Sequence, residues 1–120
     1  MEEEIYKELI LELYRNPLNK KALLDYDSKY KEFNPSCGDE IEIFIKFSKG
    51  GTVEDIGHQG QGCAISQAAV SLLSEEVKGK TREKIQDMTE KDIIEMLQIS
   101  ISHTRIKCAT LGLKTLQKCL

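Results

Sequence analysis

The run Ile41-x-Ile43-x-Ile45-x-Phe47 leaves this chain the least conformational freedom. Apolar residues at period two form one hydrophobic row on one face of a strand, and that face must be covered. Lys49-Gly50-Gly51-Thr52 follows as a turn, and a weaker strand through Val53 and Ile56 returns, so the segment predicts a hairpin. Upstream, Leu24 to Phe33 alternates, with Tyr26, Ser28 and Tyr30 opposite Asp25, Asp27, Lys29 and Lys31. This predicts a further strand with one wet face.

Helices supply the cover. Ile5, Leu9, Ile10 and Leu13 recur at helical spacing over residues 2–14, and Asn16-Pro17 ends the pattern. Ile65, Ala68, Ala69, Leu72 and Leu73 give a second helix, opening at Cys63 after the glycine-rich stretch Gly57–Gly62, which reads as a loop. Thr89 and Asp92 make a capping-box pair ahead of Ile93, Ile94 and Leu97. Ile106, Ala109, Leu113, Leu116 and Leu120 mark a last helix with Cys108 near its start. Strands first and helices after, with no strand–helix–strand alternation past residue 60, predict an α+β fold: a three-stranded antiparallel sheet with helices packed on one face. With 120 residues and no repeat or linker-like stretch, residues 1–120 read as one domain.

Charge narrows the function classes. A net charge of −3 argues against a dedicated nucleic-acid binder. No acidic residue follows Glu95, so residues 96–120 carry +4 and the rest −7, a basic end on an acidic body. That basic helix, with Ile5 and Ile10, offers candidate contact surfaces. No apolar run approaches the roughly 20 residues of a bilayer span, and the acidic start Glu2-Glu3-Glu4 is unlike a signal peptide. The expectation is a cytoplasmic protein with neither membrane nor nucleic acid as partner.

In a reducing compartment the four cysteines read as metal ligands or reactive thiols rather than disulfides. Cys37, Cys63, Cys108 and Cys119 contain no C-x-x-C, so the fold must assemble any shared site. In extended backbone Cys37 and Asp39 point the same way. Cys63 sits at a helix N-terminus, where unpaired N–H groups favour a thiolate, and Arg105 and Lys107 do the same beside Cys108. Cys119 follows Cys108 by 11 residues on one helix, about 16 Å along the axis, whereas two thiolates on one zinc are only ~4 Å apart. It is therefore assigned to a frayed terminus, unliganded. A mononuclear site is then Cys37, Cys63, Cys108 and a fourth ligand, with Asp39 leading and His103 and His58 as alternatives. The glycines of 57–62 lack the P-loop lysine and the βαβ context of a nucleotide site; they read as letting backbone approach a metal or the Cys63 loop move.

Three ordered motifs carry a resemblance: Asn34-Pro35-Ser36-Cys37-Gly38-Asp39, Gly60-Gln61-Gly62-Cys63-Ala64-Ile65-Ser66, and Arg105-Ile106-Lys107-Cys108-Ala109-Thr110-Leu111. With Tyr14-x-Asn16-Pro17 they resemble the IscU/SufU/NifU-N family of iron–sulfur cluster assembly proteins over nearly the whole chain. The resemblance implies Cys37, Cys63 and Cys108 as ligands of a transient [2Fe–2S] cluster or of Zn2+, and Asp39 as the carboxylate at the edge of the site. An oxygen donor among thiolates makes a weaker corner, which suits a scaffold that must release its cargo. It implies a cysteine desulfurase as sulfur donor and apo iron–sulfur proteins as acceptors, and it leaves open whether two copies share a cluster. Two modes follow. In the scaffold mode Cys108, activated by Arg105 and Lys107, accepts persulfide sulfur; in a zinc-dependent sulfurtransferase mode the acceptor is Cys37. The R-x-K-C and G-x-G-C-x-I-S forms resemble the sulfurtransferase branch, and the 45-residue spacing from Cys63 to Cys108 resembles the compact scaffolds. A purely structural zinc is the third reading.

Overall fold

The computed structural model describes residues 2–35 and 38–120, with side chains from residue 7 onward. Helix α1 (Glu2–Arg15) leads into strands β1 (Ser28–Asn34), β2 (Asp39–Phe47) and β3 (Val53–Gln61). Helices α2 (Ala64–Glu76), α3 (Arg82–Gln86), α4 (Glu90–Leu97) and α5 (Ile106–Lys118) follow, the last preceded by a 3-10 turn at His103–Arg105. The sheet is antiparallel in the order β1-β2-β3, as expected. Its inner face carries Ile41, Ile43, Ile45 and Ile56, buried against Ala68 and Leu73 of α2, Ile93 and Leu97 of α4, and Ala109 and Leu116 of α5. Covering this period-two row with helices from one side is the packing that its alternation demands.

The expected elements exist, with shifted limits. β1 starts at Ser28 rather than near Leu24. Asp27 ends the pairing, its N–H bonded to the Ile45 carbonyl at 2.8 Å and its carboxylate accepting from the Phe47 N–H at 2.7 Å. Tyr26 instead packs edge-on over Phe44 on the outer face of the sheet, ring centres 5.4 Å apart. The weak return strand is longer than expected: Gly57 to Gln61 continue β3 and are not a loop. A Cβ on Gly57 would lie 2.3 Å from the Lys21 carbonyl oxygen, so this glycine lets residues 18–23 run beside the strand. There the His58 N–H bonds to the Asn19 carbonyl at 3.0 Å.

Three residue expectations change with the packing. His58 is buried at 1% exposure, and its Nε2–H donates to the Leu18 carbonyl at 2.7 Å. Burial holds its imidazole below the usual histidine range, the Leu18 carbonyl opposing and Lys20 adding to the shift. Ile10 belongs to the core rather than to a contact surface, whereas the side chain of Ile5 lies outside the described residues. Cys119 is not frayed: it is buried, its Sγ–H reaches the Ile43 carbonyl at 3.6 Å, and burial pushes its thiol up to about 11. The short α3 went unread in the sequence; Thr81 caps it by accepting from the Lys84 N–H.

Candidate metal centre

One end of the sheet gathers the donors. Glu40 of β2 pairs with Gln61 of β3, so the first residue of β2 lies beside the exit of β3, where the chain turns into α2. Asp39 thereby meets Cys63, the N-cap residue of α2, and Cys108 comes from the first turn of α5, packed against α2. One ligand atom from each of Asp39, Cys63 and Cys108 lies within 4.8 Å of the others. Asp39 and Cys108 are fully buried and Cys63 is half-buried. Cys37, the fourth member of the expected set, lies outside the described residues.

Among the described residues the Asp39 carboxylate is held at one oxygen and bare at the other. Oδ1 accepts the Cys63 backbone N–H at 2.9 Å, one of the donors that a helix start leaves without an intrahelical partner. Oδ2 is buried and, among the described residues, has no hydrogen-bond partner. Leaving a buried polar atom unsatisfied costs about 1–3 kcal/mol, more for a charged group, and a cation held against the two sulfurs removes that cost. The donor set therefore fits a metal.

Gly62 makes the arrangement possible. A Cβ there would stand 2.4 Å from Asp39 Oδ1 and 2.5 Å from Ser66 Oγ. The buried Ser66 hydroxyl in turn donates to the Cys63 carbonyl at 3.1 Å. Ser66 is a support that the sequence does not single out; of the two readings of the glycines, close backbone approach to the site and loop movement, Gly62 fits the first, since its missing Cβ leaves room for the Asp39 carboxylate.

The remaining expected residues sit around this centre. Arg105 and Lys107 are exposed at the start of α5, and Lys107 with Lys114, Phe33, Pro35 and Leu111 lines a groove of ≈ 170 Å³. On the other flank Tyr14, Lys20, Gln61 and Gln67 line a groove of ≈ 510 Å³, with Lys20 Nζ donating to Gln67 Oε1 at 3.1 Å. His103 is exposed, and neither histidine joins the donor group formed among the described residues. Cys119 is likewise outside that group, as helix rise requires.

Residues 5–120 match the family model described as the NifU-like N-terminal domain. The chain belongs to this family. Its members among the relatives carry both names that the motifs suggested. The zinc-dependent sulfurtransferase SufU of Bacillus subtilis is 36% identical, covering 95% of this chain and 88% of its own length. The scaffold protein IscU of Aquifex aeolicus is also 36% identical, covering 92% and 71%. A solved SufU structure from Fervidobacterium islandicum, described as a cluster assembly scaffold of the SUF system, superimposes with a TM-score of 0.79 at 26% identity over 93% of each chain. The family is thus that of iron–sulfur cluster assembly proteins, and equal identity to the two names does not separate them. Among the described residues no helix is long and apolar enough to cross a membrane.

Proposed function

We infer that this protein builds a [2Fe–2S] cluster on Cys37, Cys63 and Cys108 with Asp39 as the oxygen donor. It takes sulfur from a cysteine desulfurase and passes the cluster to apo acceptor proteins. The observation that carries this reading is the half-satisfied Asp39 carboxylate, whose Oδ2, bare among the described residues, is buried in a donor group with two thiols. A carboxylate hooked onto a backbone N–H holds metal more weakly than a third or fourth thiolate would, which suits cargo that must leave. The Cys37 assignment rests on its place two residues from Asp39 and on the family motif. Incubated without oxygen beside a desulfurase, iron and cysteine, the protein should develop the visible absorption of a bound cluster. A colourless product would sink the reading.

The zinc-dependent sulfurtransferase reading has its own support in the Bacillus relative and in the Arg105-x-Lys107-Cys108 pattern. The same four donors would hold the zinc, with Cys37 accepting sulfur. Stoichiometric zinc, with acceleration of desulfurase turnover that disappears in Cys37→Ser, would favour it over the scaffold.

A further inference from the structure

Sulfur delivered by a persulfide arrives as sulfane sulfur and needs two electrons before it can enter a cluster as sulfide. Where those electrons come from is a question about this site, provided that the site accepts sulfur as proposed above. Cys108 has 0% exposure, so a persulfide on it is shielded from thiols in solution. Cys63, half-buried at the surface of the same site, has its Sγ within 4.8 Å of the Cys108 Sγ. Its side chain makes no hydrogen bond in capping α2. Cys119 is no rival, since its Sγ is turned to the Ile43 carbonyl in the core.

We propose that Cys63 and Cys108 act as an internal dithiol that reduces sulfur carried by either of them to hydrogen sulfide, ending as a Cys63–Cys108 disulfide. The Sγ of the cysteine that carries no added sulfur attacks the Sγ of the persulfidated cysteine. An Sγ–Sγ bond forms, the bond to the outer sulfur breaks, and that sulfur leaves with its own hydrogen and the attacking thiol's proton as hydrogen sulfide. Each cysteine sulfur is oxidised by one electron and the outer sulfur is reduced by two, so no outside reductant enters this step. Closing the bond brings the sulfurs from within 4.8 Å to about 2.05 Å. A dithiol reductant then reopens the disulfide by exchange, freeing both ligands for metal. The buried member protects the persulfide, and the half-buried member gives the reductant access.

The test uses the full-length, metal-free protein, loaded with sulfane sulfur by inorganic polysulfide without oxygen and desalted. In the wild type the mass that includes one extra sulfur should give way to a mass short of two hydrogens, with one sulfide released per disulfide formed. Peptide mapping should join Cys63 to Cys108. Cys63→Ser and Cys108→Ser should each retain the added sulfur and release sulfide about tenfold more slowly or worse, the expected loss when the attacking thiol is gone. Release at the wild-type rate from either variant, or a disulfide that joins a different pair, overturns the proposal. A parallel sample loaded by a desulfurase separates the two ideas: failure there, with conversion intact after polysulfide, rejects the sulfur-acceptor reading and leaves the dithiol step standing.

Discussion

Replacing Asp39 by asparagine should move stability and metal affinity in opposite directions. In the metal-free protein Oδ1 is satisfied by the Cys63 N–H and Oδ2 is buried without a partner among the described residues. Asp39→Asn keeps an oxygen acceptor for that N–H and replaces a carboxylate by a neutral amide, which costs less to bury. Exchanging a half-satisfied buried carboxylate for a neutral amide lowers that burial cost by about 1–3 kcal/mol. With a urea slope of about 1–3 kcal/mol per molar for a domain this small, the unfolding midpoint in chelator should rise by about 1 M. Zinc affinity, measured by competition with a chromophoric chelator, should fall by about 100-fold or more, beyond the usual effect of losing an outer partner. A metal-free variant no more stable than wild type, with zinc affinity retained, would refute the idea that Oδ2 is a ligand waiting for a cation.

Other perturbations have equally definite outcomes. Gly62→Ala sets a methyl against two side-chain tips rather than backbone, so the fold should survive while the carboxylate swings away; zinc affinity should drop by about 10- to 100-fold and the cobalt-substituted spectrum should lose its oxygen-ligand signature. An unchanged spectrum would mean that Asp39 does not need the space. Because His58 has a depressed folded-state pKa, it adds stability above its unfolded pKa near 6.5, and that contribution is lost as pH falls through the folded value. Melts at pH 7.5 and pH 5 should therefore show a smaller loss for His58→Phe than for wild type, and equal losses would contradict this. Cys119→Ala should cost about 1–2 kcal/mol in urea unfolding while leaving zinc stoichiometry intact, which separates core sulfur from ligand sulfur.

Local pattern revealed what depends on near neighbours in the sequence. The Ile41, Ile43, Ile45 alternation, the Thr89–Asp92 box and the α5 stripe each name their element because period and capping are set within a few residues. Gly57–Gly62 was illegible for the opposite reason: whether glycines make a loop or a strand against which another backbone lies depends on residues 18–23, some 35 positions away in sequence. His58 and Cys119 were misread together with their surroundings, since burial is a tertiary property. The chemistry of the site was legible as residue types, and the helix-rise argument correctly removed Cys119 from it. What no spacing could show was that one Asp39 oxygen is tied to the Cys63 backbone, that Gly62 makes room for it, and that Cys108 is buried where Cys63 is not.

The most direct test of the scaffold account is metal and acid-labile sulfide analysis of the protein purified without oxygen after loading. The account predicts iron and sulfide in equal amounts, bound by the wild type and lost together in Cys63→Ser and Cys108→Ser. Stoichiometric zinc with neither iron nor sulfide, in protein given the same iron, sulfur source and desulfurase, would contradict it.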